Sequence, residues 1–242
     1  MMRRVPILVS VVLACAGTPA LAAAPECKAV SLDFGRKPAR WVHQPLSKLK
    51  RDTVYTVVQE SGRSVLRAGA DRSASLYVAK LEPPDGGAAT IRWEWKANAP
   101  VAGADPRERS REDAPLRVLV AFDGDASKLP DAERKRFERA KALSGRSPPY
   151  AVVMYVWNDK VPVETVVPSA HTTQLKMLVA GSGTEGIGTW QSVQRDLAAD
   201  YRRLYGAAPG RVLGVAVMTD TDNTGTRAVG RYADVRLGCA AD

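Results

Sequence analysis

The chain has 242 residues, with 35 Lys and Arg against 26 Asp and Glu, a formal net charge of +9 and three cysteines. That length supports one sizeable domain with its own core. The basic residues are scattered and no nucleic-acid-binding motif is present, which argues against nucleic acid as a partner, while the basic balance suits anionic glycans or lipid head groups as well as a basic protein with neither.

The first two dozen residues read as a secretory signal. Met1 to Arg4 give a positive start, Val5 to Ala14 an apolar run too short to span a bilayer, and Ala20-Leu21-Ala22 the small-residue pattern before a cleavage site. Cleavage after Ala22 leaves residues 23–242 as a single exported domain, periplasmic or secreted. A competing reading takes Val12-Leu13-Ala14-Cys15 as a lipoprotein box, which would place a lipid on Cys15 and tether the domain to a membrane. Either cut leaves Cys27 and Cys239, one at each end, in a compartment where disulfides persist. If they pair, the first and last strands lie side by side, because bridged Cα atoms sit within about 7 Å. The bridge would then add about 5 kcal/mol at most. Two free thiols are the alternative.

Short β-branched or aromatic runs follow at regular spacing. Thr53–Val58, Ser64–Ala68, Ser75–Leu81, Thr90–Lys96, Leu116–Phe122, Ala151–Val156, Glu164–Val167, Thr173–Val179, Val212–Met218 and Arg231–Leu237 all read as strands. Turn residues such as Ser61-Gly62, Pro83 to Gly87 and Gly181-Ser182-Gly183 separate them. Ten such strands predict an all-β, two-sheet, jelly-roll-like sandwich. Two segments break the pattern. Leu129–Leu143 is charged with a sparse apolar stripe and predicts a surface helix, and Arg195–Tyr205, ending at Gly206, predicts a second one with Leu197, Tyr201, Leu204 and Tyr205 toward the sheet.

The common catalytic signatures are missing: no His-Glu-x-x-His, no Gly-x-Ser-x-Gly, no phosphate loop and no Cys-x-x-Cys. A histidine base would have to be His43 or His171, and neither has a nucleophile pattern around it. In Arg92-Trp93-Glu94-Trp95-Lys96 the period of a strand puts the tryptophans on one face and Glu94 on the other with two cations. The Trp face suits a core, and the Glu94 face suits solvent or a glycan cleft, which makes Glu94 a candidate ligand-binding residue. Trp157, at a strand end before Asn158-Asp159-Lys160, is the aromatic expected to stack on a ligand. Asp220, Asp222 and Asn223 offer oxygens suited to a hard cation such as calcium, with further ligands needed from backbone or from remote acids such as Asp123 or Asp234. The alternative is that Asp220 and Asn223 make side-chain-to-backbone bonds that hold a tight turn.

Several pieces in order carry a family resemblance: Ser73-Ala74-Ser75, Ile91 to Lys96, Leu116-Arg117-Val118, Tyr155-Val156-Trp157, Val179 to Gly183, Trp190, Arg195-Asp196, Asp200-Tyr201-Arg202 and Val217 to Thr224. With these pieces the chain resembles the bacterial family called domain of unknown function 3047. The resemblance implies an exported β-rich domain and transfers no catalytic residue. The closing strand Tyr232-Ala233-Asp234-Val235 is, more loosely, similar to the last strand of carbohydrate-binding jelly-roll modules. Together these readings point to a non-catalytic binding module for a glycan or cell-envelope ligand. Two other readings stay open: a carbohydrate-active enzyme drawing on Glu94, Asp113, Asp123, Asp220 and Asp222, or an envelope scaffold.

Overall fold

Each of the ten runs that read as strands forms one, and three further strands join them in two sheets. The computed structural model describes residues 29–36, 40–85, 88–145 and 147–239. The segment read as a signal sequence, Cys15 and Cys27 lie outside these residues. Numbered in chain order, the first sheet runs β11 (Gln191–Asp196), β6 (Thr90–Ala97), β13 (Arg227–Gly238), β4 (Arg63–Asp71) and β3 (Val54–Glu60), with β1 (Val30–Ser31) beside the end of β13. The second runs β2 (Trp41–Pro45), β5 (Ser75–Asp85), β12 (Val212–Asp220), β7 (Ala114–Phe122), β8 (Ala151–Asn158), β10 (Leu175–Ser182) and β9 (Val166–Pro168).

Alternation decides which side chains meet between the sheets. Trp93, Trp95, Leu66 and Tyr232 from the first sheet face Val118, Val120, Phe122, Tyr155 and Trp157 from the second, all essentially without exposure. Trp93 and Trp95 meet edge to face at 5.2 Å, and Trp93 packs on Tyr155 at 5.0 Å, the offset geometry aromatic quadrupoles favour. Most pairings are antiparallel, as in a jelly roll, but β8 and β10 are parallel. The first and last strands do lie side by side, with Val30 opposite Leu237. Cys239 follows directly on β13.

The two helices behave differently because their sequences do. In α1 (Asp131–Ser144) charge dominates, and Leu143 is 80% exposed, so it remains a surface helix. In α2 (Leu197–Tyr205) Leu197, Tyr201 and Leu204 are buried, and Tyr201 meets Phe122 at 4.9 Å, so the helix closes one open side of the sandwich. Asp196 caps its start by accepting the Ala199 N–H at 2.8 Å. Gly206, at φ 70°, ends it in the left-handed region that glycine enters without steric cost. Arg195 holds the helix from below. Its guanidinium donates to both oxygens of Asp200 at 2.7 and 2.8 Å, and Tyr155 donates to the same carboxylate at 2.9 Å.

β1, β2 and β11 escape a propensity reading for a common reason. β11 reads Gln-Ser-Val-Gln-Arg-Asp and β2 includes His43-Gln44-Pro45, polar compositions that pair only because an apolar strand lies alongside.

Candidate functional site

The first sheet turns a charged face to solvent. Register places Arg67 on β4 opposite Arg231 on β13, and Arg231 opposite Lys96 on β6, so three cations stand in one row across adjacent strands. Like charges directly opposite one another destabilise a sheet. A single carboxylate, Glu60 at the end of β3, serves two of them. It accepts a hydrogen bond from Lys96 and faces Arg231 Nε at 3.3 Å. Arg231 also donates to Asn98 Oδ1 at 2.6 Å. Arg67 has no ion pair among the described residues. The ammonium of Lys96, aided by Arg231 and Trp190 and opposed by burial, holds the Glu60 carboxyl below its ordinary value of 4.5.

Next to this row lies Trp190, half-buried at the start of β11. The Arg63 guanidinium carbon sits 4.5 Å from the ring centroid and the Lys96 ammonium 4.8 Å, both within cation–π range. Arg63 in turn donates to Glu94 at 2.5 Å and to Asp234 at 2.7 Å. Asp234 reaches that point because β13 shifts register between Ala233 and Arg236, and Asp234 adopts φ 50° there. A bulge of this kind re-aims a side chain, and a non-glycine residue at positive φ stores strain. The face therefore combines one aromatic ring, surplus guanidinium and ammonium groups, and three carboxylates. It can hold an anionic, hydroxyl-rich ligand by ion pairs, hydrogen bonds and stacking.

The structure distributes the sequence-predicted residues unevenly. Glu94 lies on this face, opposite the two tryptophans, as alternation requires. Trp157 does not reach a surface. It is 1% exposed because Gly181, opposite it on β10, leaves room for the indole to fold into the core; a Cβ on Gly181 would lie 2.6 Å from Trp157 Cδ1. This corrects the expectation of a stacking residue at that strand end. Arg63, Arg67 and Arg231 are the residues that sequence reasoning left without a role in binding, because their proximity to one another and to Trp190 depends on strand register.

Asp220, Asp222 and Asn223 cap the opposite end of β12, and Asp113 joins them. Among the described residues, Asp113, Asp220 and Asp222 each place an oxygen within 4.8 Å of the others. Each of the three carboxylates already has a partner. Asp220 accepts from Arg117 Nε at 2.8 Å and from the Ala114 N–H at 3.1 Å. Asp113 accepts the N–H groups of Asn223 at 3.2 Å and Thr224 at 2.6 Å, plus the Thr224 hydroxyl. Lys50 pairs with Asp222 at 2.5 Å, and the Asn223 amide donates to Arg109 O at 3.0 Å. Burial pushes the Asp220 carboxyl up to about 6 although Arg117 pulls it down. Two cations among three carboxylates, with the oxygens accepting local donors, suit a held turn; a calcium ion would have to displace Lys50 or Arg117. Asp123 pairs with Arg211 and Asp234 belongs to the Trp190 face, so neither of these remote acids joins the loop. The acids of the enzyme reading are likewise spread over three places in the fold.

A family model described as "Protein of unknown function (DUF3047)" matches residues 39–236. No curated protein matches the chain. Among solved structures, the chain is similar to the family 11 carbohydrate-binding module of the cellulosomal cellulase Lic26A-Cel5E of Clostridium thermocellum, at 9% identity and a TM-score of 0.46, over 90% of this chain and 98% of that one. The family 30 carbohydrate-binding module of the cellulosomal cellulase Cel9D-Cel44B of the same organism gives 11% and 0.45, over 89% and 99%. The xyloglucanase domain of NopAA from Sinorhizobium fredii, solved with cellobiose, gives 10% and 0.43, over 91% and 100%. No residue role is carried over from any of them.

Proposed function

Because the chain belongs to this family of unknown function, we propose from its own residues that it is a non-catalytic binding module, exported from the cytoplasm, that takes an anionic glycan on the outer face of the first sheet. The row Arg67, Arg231, Lys96 beside Trp190 carries this reading. Three adjacent cations, two of them sharing the Glu60 carboxylate and Arg67 without an ion pair among the described residues, cost the free protein, and an incoming carboxylate or sulfate relieves that cost while Trp190 offers its ring to the sugar. The cell-envelope location follows from the signal reading of residues 1–22, and the Cys27–Cys239 bridge is proposed with it.

Calorimetric titration with oligomers of uronic acids, neutral glucans as control, tests the reading. The acidic oligomers bind, the neutral ones bind at least tenfold more weakly, and Arg231→Ala or Trp190→Ala lowers the affinity for the acidic ones by about tenfold or more, the worth of one charge-assisted hydrogen bond. Equal affinity for neutral and acidic oligomers, or none for either, sinks it. Vesicles with anionic head groups form the second arm; binding to them alone would replace the glycan by a lipid surface.

A further inference from the structure

The second sheet, unlike the first, is apolar on both faces. Register aligns one outward row across all seven strands: Val42, Val78, Ala216, Leu119, Met154, Met177 and Val167. A two-sheet antiparallel sandwich ordinarily turns polar residues outward at these positions. Over the part of this row formed by Val78, Ala216 and Leu119, the outward faces of β5, β7, β8 and β12 line a cavity of about 820 Å³. Leu76, Val78, Leu119, Ala121, Val152 and Leu213 line it, with Pro148 and Pro149 at one side. Its polar lining comes from Gln44, Lys80, Glu82 and Ser147. Lys80 has no ion pair among the described residues.

We propose that this cavity binds a single-chain amphiphile with an anionic head, the hydrocarbon lying on the apolar strands and the head pairing with Lys80. The volume falls within the ~300–1,000 Å³ typical of small-ligand sites. A hydrocarbon needs no hydrogen bonds from such walls, whereas a sugar would leave its hydroxyls unpaired against them. The unpaired ammonium selects the sign of the head group, and Glu82 beside it opposes that sign. This site is independent of the Trp190 face, on the other sheet.

The test uses the exported protein, its N-terminus fixed by mass spectrometry, titrated with straight-chain fatty acids of increasing length and with the matching alcohols. Two added methylenes tighten binding on the order of tenfold until the cavity is filled. Lys80→Glu weakens the acids and leaves the alcohols unchanged, and Glu82→Gln tightens the acids. Ala121→Trp, which fills the cavity, abolishes binding while acidic-oligosaccharide binding survives; Leu213→Trp replaces it if that variant does not fold. Absence of binding at every chain length overturns the proposal, and so does binding that the filled variants retain. A dimer, or a retained N-terminal segment that blocks the fatty acids, counts as the same failure.

Discussion

The outer faces of the two sheets share one core and differ in almost every other respect. On the first, alternation is kept, and cations, carboxylates and a half-buried tryptophan look outward. On the second, alternation is abandoned, and β7, β8 and β12 are apolar at both parities. Arg117, with its partner Asp220, is the charged exception there. It is buried on the outer side between Met154 and Met177, with Asp220 as its ion-pair partner. One fold can thus carry two surfaces of opposite chemistry, since the inner face alone determines that the sheets pack.

Breaking that exception should have the largest effect. Arg117→Met matches its methionine neighbours in size but leaves Asp220 buried without its guanidinium, and should cost about 3–5 kcal/mol. At roughly 2–4 °C per kcal/mol for a domain of this size, calorimetric melting would register the loss easily. Adding Asp220→Ala should restore part of it, and a double variant no more stable than the single one would contradict the pairing. Trp157→Ala should cost a similar ~3–5 kcal/mol as a core truncation, with Trp157→Phe keeping oligosaccharide affinity. An affinity loss in Trp157→Phe at unchanged stability would return that residue to the binding surface.

Acid should act on the first sheet in a smaller way. The folded value of Glu60 is lowered, so its contribution to stability is complete above about pH 4.5, the unfolded value, and is lost as pH falls through the lower folded one. Glu60→Gln should remove that part of the acid sensitivity and should leave the protein less stable at neutral pH, more so at low salt, because the cation row then has no carboxylate. Melting curves from pH 7 to pH 3 at two salt concentrations would show both. The smallest effect is expected at the Asp220 loop, where EDTA followed by calcium should leave the melting temperature unchanged. A bound ion at 100 times its dissociation constant would instead raise stability by about 2.7 kcal/mol, and such a shift, lost in Asp222→Ala, would make the loop a metal site.

How far the sequence could anticipate this contrast depends on the strand. Ile91, Trp93 and Trp95 at alternate positions mark β6 in the first sheet, and from them Glu94 and Lys96 must point outward. The same pattern cannot say that Arg67 and Arg231 stand beside Lys96, because strand order and register are set by contacts far apart in the chain. Trp157 misleads for a related reason: its neighbours Asn158 and Asp159 signal a turn, while its burial depends on Gly181, two strands later in sequence. Asp113 is invisible as a partner of the 220–224 loop until β7 and β12 are paired. For β8 and β12, continuous apolar composition was legible, but it fits a strand buried by protein and one lining an open cavity equally well.

β13 has β6 along one edge, while β4 and then β1 share the other. The centre of the first sheet is therefore supplied by the last described strand, and the earliest described strand has nothing to pair with until that strand arrives. Such a sandwich assembles through non-local contacts, in milliseconds to seconds rather than microseconds. A nascent chain still short of Arg227–Gly238 has a first sheet without its middle, so that sheet is completed only once β13 is free to pair.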